Sequence, residues 1–342
     1  EFSQRAFLNG RLDLTQAEAI SELISARSEK AAEIAMNGLK GEIQKRIQML
    51  RDRLLDQLSE IEARVDFEDE LPPLNQHEII KELQQIKQEL IGLIEDSKKG
   101  NWLRSGLRIA LIGRPNVGKS SLLNRLSKRD KAIVTDLPGT TRDLLESEVI
   151  LNGVPVTLLD TAGIRETNNA IEQMGISLSH KALKSADIIA LIFDSSLGWT
   201  KEDQILLEQI PLTTPKLLIA NKSDLNQKSL LHNQKSLLNE TIIRISALTG
   251  EGENELIKSL LGICGANLLQ DLEISLNIRQ QDLTKLAITS LDRTLEQTTQ
   301  ELPWDFWTID LRAAIQYLGE LTGEGITEGV LDRIFSKFCI GK

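Results

Sequence analysis

The sequence predicts an α/β domain, a mostly parallel sheet with helices on both faces, inserted into an all-α domain. Three observations predict it. The first hundred residues carry apolar side chains at helical spacing. From residue 107, short apolar runs alternate with amphipathic segments, and the first run leads into a glycine-rich loop. From about residue 270 the helical spacing returns. One helical domain made from both ends of the chain is the simplest assembly, and three domains in series is the alternative. The expected bounds are 1–105 and 266–342 for the two helical parts and 106–265 for the α/β domain.

The helical elements come first in chain order. Thr15 followed by Glu18 reads as a capping box and predicts a helix start. Ile43, Ile47, Leu50, Leu54, Leu58, Ile61 and Val65 recur at spacings of three and four, one stripe on one helix face. The acidic run 66–70 and the Pro72-Pro73 pair end that helix. Another is expected after Asn75, burying Ile79, Leu83, Ile86, Leu90 and Leu93. The stretch Lys98 to Gly106 reads as a linker. Strands are expected over Leu107–Ile112, Ile188–Phe193, Lys216–Ala220 and Thr241–Ile245. A hairpin is expected over Ser147–Asp160, turning at Asn152-Gly153 in type I′ fashion. Strands alternating with helices imply a parallel sheet covered on both faces. Leu283, Leu286, Ser290, Leu291 and Leu295 fit one later helix, Asp310–Leu321 a second and Glu328–Phe338 a last one.

Bulk composition narrows the class. Of 342 residues, 41% are hydrophobic and 26% charged, with a net charge of −10. That is ordinary globular composition without a global basic footprint for nucleic acid. The Lys98, Lys99, Arg104 and Arg108 cluster reads as a solvated linker or as a local RNA-binding patch. No apolar run approaches the roughly 18 residues that span a bilayer, so no membrane helix is expected. Cys264 and Cys339 cannot form a disulfide framework, and no Cys/His cluster points to zinc. His77, His180 and His232 are scattered. A reducing, cytoplasmic setting fits.

Chemistry concentrates in the central region. Gly113-Arg114-Pro115-Asn116-Val117-Gly118-Lys119-Ser120 matches GxxxxGK[ST] between a predicted strand and a predicted helix. Glycines there let backbone N–H groups surround phosphate oxygens, and the helix N-terminus adds positive potential. Lys119 can reach the β and γ phosphates and is expected to face solvent without ligand, while the Ser120 hydroxyl can ligate Mg²⁺. Val117, Gly118 and Ser121 belong to the same expected nucleotide contact.

Asp160-Thr161-Ala162-Gly163 ends a strand. Asp160 there can hold the magnesium shell, and Gly163 can offer its N–H to the γ-phosphate. Asn221-Lys222-Ser223-Asp224 matches NKxD. The Asp224 carboxylate can accept from the N1–H and amine of guanine, a donor pair that adenine lacks. Ser246-Ala247-Leu248 would supply a backbone N–H to the guanine oxygen. Between the first two motifs lies Thr135-Asp136-Leu137-Pro138-Gly139-Thr140-Thr141. Thr141 is expected to complete the magnesium shell, with Thr135 and Thr140 as further nucleotide contacts. Five motifs in this order predict a P-loop GTPase that binds GTP and GDP with Mg²⁺. Where Ras-type GTPases carry a water-orienting glutamine, this chain has Ile164. Glu166 and Glu172 are acidic candidates nearby, or solvated surface charges.

With these motifs in hand, the sequence resembles the tRNA modification GTPases of the MnmE (TrmE) family. The resemblance rests on Arg5-Ala6-Phe7-Leu8-Asn9-Gly10, on Leu12 to Ala19, on GRPNVGKSSLLN from Gly113, on IVTDLPGTTRD from Ile133, and on the terminal Phe338-Cys339-Ile340-Gly341-Lys342. It covers nearly the whole chain, with Gly329 departing from an expected acidic residue. It implies a GTPase domain inserted into a helical domain. It also implies a preceding domain that dimerises and binds a folate, so the chain is expected to be truncated. Further implications are a homodimer whose GTPase domains pair across the nucleotide, and a K⁺ bound in part by Asn116, with Thr135 as a second ligand. Glu172 would order the attacking water through a second water. The resemblance implies a flavoprotein partner, MnmG (GidA), and an aminomethyl-type group placed at position five of the wobble uridine in tRNA. Cys339 is either linked to that chemistry or an inert terminal cysteine. The competing readings are a ribosome-associated GTPase acting as a timer, and a helical scaffold with a degenerate site. The first would carry a recognisable RNA-binding module, and intact Lys119, Ser120, Asp160, Asn221 and Asp224 argue against the second.

Overall fold

The structure, a computed structural model, describes residues 2–67, 72, 74–128, 145–160, 185–225, 241–265, 269, 271–300 and 302–336, with backbone alone at 145, 146, 160, 328 and 332. Its chain forms two compact units. One joins Glu1–Asn101 to Asp271–Lys342, and the other is Trp102–Gln270.

In the first unit the helices are α1 (Phe2–Leu8), α2 (Leu14–Ile24), α3 (Glu29–Leu39), α4 (Glu42–Asp66) and the first part of α5 (Gln76–Ser105). Helix α2 is capped two residues earlier than the expected capping box, at Asp13 instead of Thr15. Asp13 is the N-cap, accepting from Thr15 N and Gln16 N, and Gln16 Oε1 accepts from Asp13 N. A carboxylate outcompetes a hydroxyl for free N–H groups, so Thr15 donates its own hydroxyl to Asp13. Glu18 is released to bind Arg279 instead. The expected linker from Lys98 to Gly106 is also corrected: α5 runs unbroken to Ser105. Its polar sequence hides tertiary support. Ser97 donates to Leu93 O and accepts from Leu276 N, and Leu103 is buried.

The stripe along α4 is buried from Ile43 to Ile61, while Val65 at its end is exposed. It packs with Leu83, Ile86 and Leu90 of α5 and with residues from the distal end of the chain. Those lie on α9 (Ile278–Thr299) and α10 (Trp304–Thr322), including Leu291, Trp307, Leu311 and Leu318. A short last helix, α11, spans Glu328–Phe335.

The second unit carries a six-stranded sheet in the order β2-β3-β1-β4-β5-β6. The strands are β1 (Leu107–Ile112), β2 (Leu145–Leu151), β3 (Val154–Asp160), β4 (Ile188–Asp194), β5 (Lys216–Asn221) and β6 (Ile242–Arg244). Only β2 runs antiparallel to its neighbour. Asn152 and Gly153 take φ of 49° and 84° at the β2–β3 turn, the signs a type I′ hairpin needs. Every residue of β4 is buried. Alternate residues face opposite sides of a sheet, so both faces are covered there. On one face Ile189, Leu191 and Phe193 pack with Leu207 of α7 (Lys201–Glu208) and with Ile210. Two further helices, α6 (Lys119–Leu126) and α8 (Glu253–Ile263), follow β1 and β6.

Candidate nucleotide site

Strand β1 pairs in parallel with β3 on one side and with β4 on the other. The connection therefore changes direction at the carboxyl end of β1, where open α/β sheets form ligand crevices. The motifs that follow β1, β5 and β6 lie at that edge, and Asp160 closes β3 there.

The loop between β1 and α6 has the backbone its glycines require. Gly113 has φ of 151°, and a Cβ on it would come 2.2 Å from Ile192 O of β4. Gly118 caps α6 with φ of 99°, and a Cβ there would meet Asn221 Nδ2 at 2.2 Å. Asn116 also takes positive φ, 63°, and its side chain is exposed with Ser120 and Ser121. Lys119 corrects the solvent-facing expectation. It is buried, and its ammonium donates to Gly113 O at 2.7 Å and Arg114 O at 2.8 Å. A buried ammonium needs partners, and the loop's own carbonyls supply them.

Asn221 joins three motifs through one side chain. Its Nδ2 donates to Val117 O at 2.8 Å, and its Oδ1 accepts from Ala247 N at 2.9 Å, with the residue 1% exposed. Asp224 accepts from Ser246 Oγ. Lys222 takes φ of 66° and donates to Asp194 Oδ2 at 2.6 Å. Burial pushes the Asp194 carboxyl up, but Lys222 and the Ser196 hydroxyl and N–H together hold it below its ordinary value. Leu248 is exposed beyond Ser246 and Ala247.

Asp160 ends β3 opposite Leu111 in the register, two residues before Gly113. Thr135, Thr140, Thr141, Gly163, Glu172 and Cys339, with Ile164 and Glu166, lie outside the described residues. Three residues of this edge escaped the motif reading. Asp194 meets Lys222. Asp203 is fully buried and accepts from Arg114 Nε at 2.8 Å. Arg125 reaches the loop after β6. The only signal for Asp194 was an acidic residue closing an apolar strand. The other two depend on partners remote in sequence.

Sheet, loop and motif order define a P-loop GTPase. A family model described as the MnmE helical domain matches residues 14–339. A relative from Prochlorococcus marinus (strain MIT 9303), named tRNA modification GTPase MnmE, is 63% identical over 100% of this chain and 74% of its own length. One of the same name from Synechococcus sp. (strain CC9902) is 59% identical, with 100% and 74% covered. A solved structure of an Aquifex aeolicus Era variant bound to GDP.AlF4- aligns at 27% identity over 54% of this chain and 66% of that chain. Its TM-score is 0.37. The chain belongs to the MnmE family of tRNA modification GTPases. Among the described residues, no helix is long and apolar enough to cross a membrane.

Proposed function

We propose that this chain binds GTP at the carboxyl edge of its sheet, hydrolyses it, and spends that turnover in modification of tRNA. The observation that carries the reading is the Asn221 side chain, which ties the phosphate loop at Val117 to the base-reading loop at Ala247. Phosphate and guanine recognition are thereby held in one frame. Val117, Gly118, Lys119, Ser120 and Ser121 would surround the phosphates, with Thr135, Thr140 and Gly163. Asn221, Lys222, Asp224, Ser246, Ala247 and Leu248 would take the base. The names of the relatives support the link to tRNA. The finer reading is an aminomethyl-type group placed at position five of the wobble uridine, together with an MnmG (GidA)-type flavoprotein, in the cytoplasm. The segments 1–105, 106–265 and 266–342 are the proposed functional divisions.

Two cations fit the donor set. Ser120, exposed in the first turn of α6, offers a hydroxyl for Mg²⁺, with Thr141 and Asp160 as its companions. Asn116, exposed on the loop at positive φ, offers a carbonyl for K⁺, with Thr135. Bound there, the cations would offset charge on phosphate oxygens. Ile164 cannot orient water, so Glu172 is proposed to do so across a dimer of GTPase units.

GTP turnover in potassium against sodium, over a range of protein concentrations, tests this. Potassium and concentration should each raise the rate, and a finger-type contribution reaches about 10³- to 10⁵-fold. Glu172→Ala should slow turnover without loosening GTP. A rate indifferent to potassium, concentration and Glu172 would overturn the catalytic reading, and GTP binding no tighter than ATP binding would overturn the site itself.

A further inference from the structure

We propose that Arg125 is a positioning residue for guanine recognition, holding the base-reading loop in place from the helix that begins at the phosphate loop. The inference rests on the reading of Ser246–Leu248 as the loop that meets the guanine oxygen.

Arg125 lies in the last turn of α6, seven residues after Gly118. Its guanidinium spreads over the segment between β6 and α8. Nε donates to Glu253 Oε2 at 2.7 Å, Nη1 to Leu248 O at 3.2 Å and Nη2 to Thr249 O at 3.2 Å. The planar fork of an arginine suits this triple grip, and a lysine ammonium cannot span it. Glu253 is buried in the first turn of α8, so the far side of the grip is anchored in the fold.

The loop is built to accept that hand. Gly250 takes φ of 94°, and a Cβ there would lie 1.8 Å from Arg125 Nη2. Gly252 takes φ of 76°, and a Cβ there would lie 2.0 Å from Arg244 O. Within the loop, Ser246 Oγ accepts from Thr249 N and Ser246 N donates to Glu251 O. That inner ring fixes Ser246. The carbonyls of Leu248 and Thr249 are held from outside by Arg125. Loss of the grip would leave Asp224 and Asn221 in place while freeing the stretch that offers its N–H to the base. The charge-assisted contacts and the close approach of Gly250 to the guanidinium make Arg125 more than a solvated helix-end cation.

The test compares GTP with 6-thio-GTP, which keeps the N1–H and amine read by Asp224 but puts a poor acceptor in place of the oxygen. Binding of both is measured at neutral pH to the full chain, to Arg125→Ala and to Arg125→Lys, with a thermal melt of each. Both variants should bind GTP about tenfold more weakly, the scale of one charge-assisted contact. They should bind 6-thio-GTP nearly as the parent does, so the preference for oxygen narrows. A preference left unchanged in both variants overturns the role of Arg125, whether GTP affinity holds or both nucleotides weaken together. A parent that binds the two nucleotides equally well instead overturns the guanine-oxygen reading on which the proposal stands. Arg125→Lys keeps the charge near Glu253, so it remains informative if the alanine variant fails to fold.

Discussion

Asp224 shows how one carboxylate can be both held and aimed. Ser246 Oγ donates to one of its oxygens, which fixes the side chain while leaving the carboxylate able to accept from a base. Asp224→Asn should weaken GTP binding by about 10²-fold or more, as sites built on paired hydrogen bonds do when a donor faces a donor. Preference should move towards xanthine nucleotides. Titration with GTP and XTP decides it, and equal GTP affinity in variant and parent would remove the base-recognition assignment. Lys119 asks a different question, because its ammonium already caps two loop carbonyls. Lys119→Ala should abolish tight triphosphate binding and also cost about 1–2 kcal/mol without nucleotide, for two lost hydrogen bonds. Nucleotide titration beside a urea melt separates the two effects. Asp194 links the site to pH. Its carboxyl is held below the ordinary 3.8, so its pairing with Lys222 stabilises fully above that value. That contribution is lost as pH falls through the lowered folded value. Asp194→Asn should flatten the acid limb of the stability curve below 3.8 and leave its shape near neutrality unchanged. An identical acid limb in parent and variant would count against the pairing.

Elements were legible where local chemistry and tertiary packing agree. The hairpin at Asn152-Gly153 was readable because a two-residue turn with both φ positive admits few sequences. The phosphate loop was readable because its glycines are required by close approach to the Ile192 carbonyl and the Asn221 side-chain amide. Legibility failed where a remote partner decides. Glu18, expected in the α2 capping box, pairs instead with Arg279, remote in sequence, while the Asp13 carboxylate caps the helix. The Lys98–Gly106 stretch looked like a linker because its support comes from residues beyond 270. Gly100 makes that support testable. A Cβ there would lie 2.1 Å from Ser275 Oγ and 2.7 Å from Ser275 Cβ. Alanine in a helix interior gains about 1 kcal/mol over glycine, but overpacking costs about 1–3 kcal/mol, and a contact with a neighbouring Cβ at that distance forces the backbone to move. Gly100→Ala should therefore lower stability despite its helix propensity, and Gly100→Ala with Ser275→Gly should recover it. A variant more stable than the parent would show that the α5 contact is looser than described.

At the scale of the molecule, an inserted domain must leave the two segments of its host able to pair with each other. Arg279 adds a polar tie to the apolar core that joins them. It meets Glu18 through two hydrogen bonds at 2.7 and 2.8 Å and donates to Glu320 O and Leu321 O, so it joins α2, α9 and α10. Glu18 also accepts from Gln280. The two segments it unites are more than 250 positions apart, and the nucleotide unit lies between them in sequence. Removing one partner of a largely buried pair leaves an uncompensated charge, and the remaining bond from Gln280 offsets part of it. Arg279→Ala should then cost the helical unit about 3 kcal/mol. Nucleotide acts on the other unit, by mass action alone. At about 100 times its Kd, GDP should add about 2.7 kcal/mol to whichever cooperative unit binds it. Calorimetry of the full chain can show both at once. The transition that GDP raises should be untouched by Arg279→Ala, and the transition that Arg279→Ala lowers should be indifferent to GDP. If the substitution and the nucleotide move the same single transition, the host and the insert unfold together, and the pair at Glu18 stabilises the whole chain and not the helical unit alone.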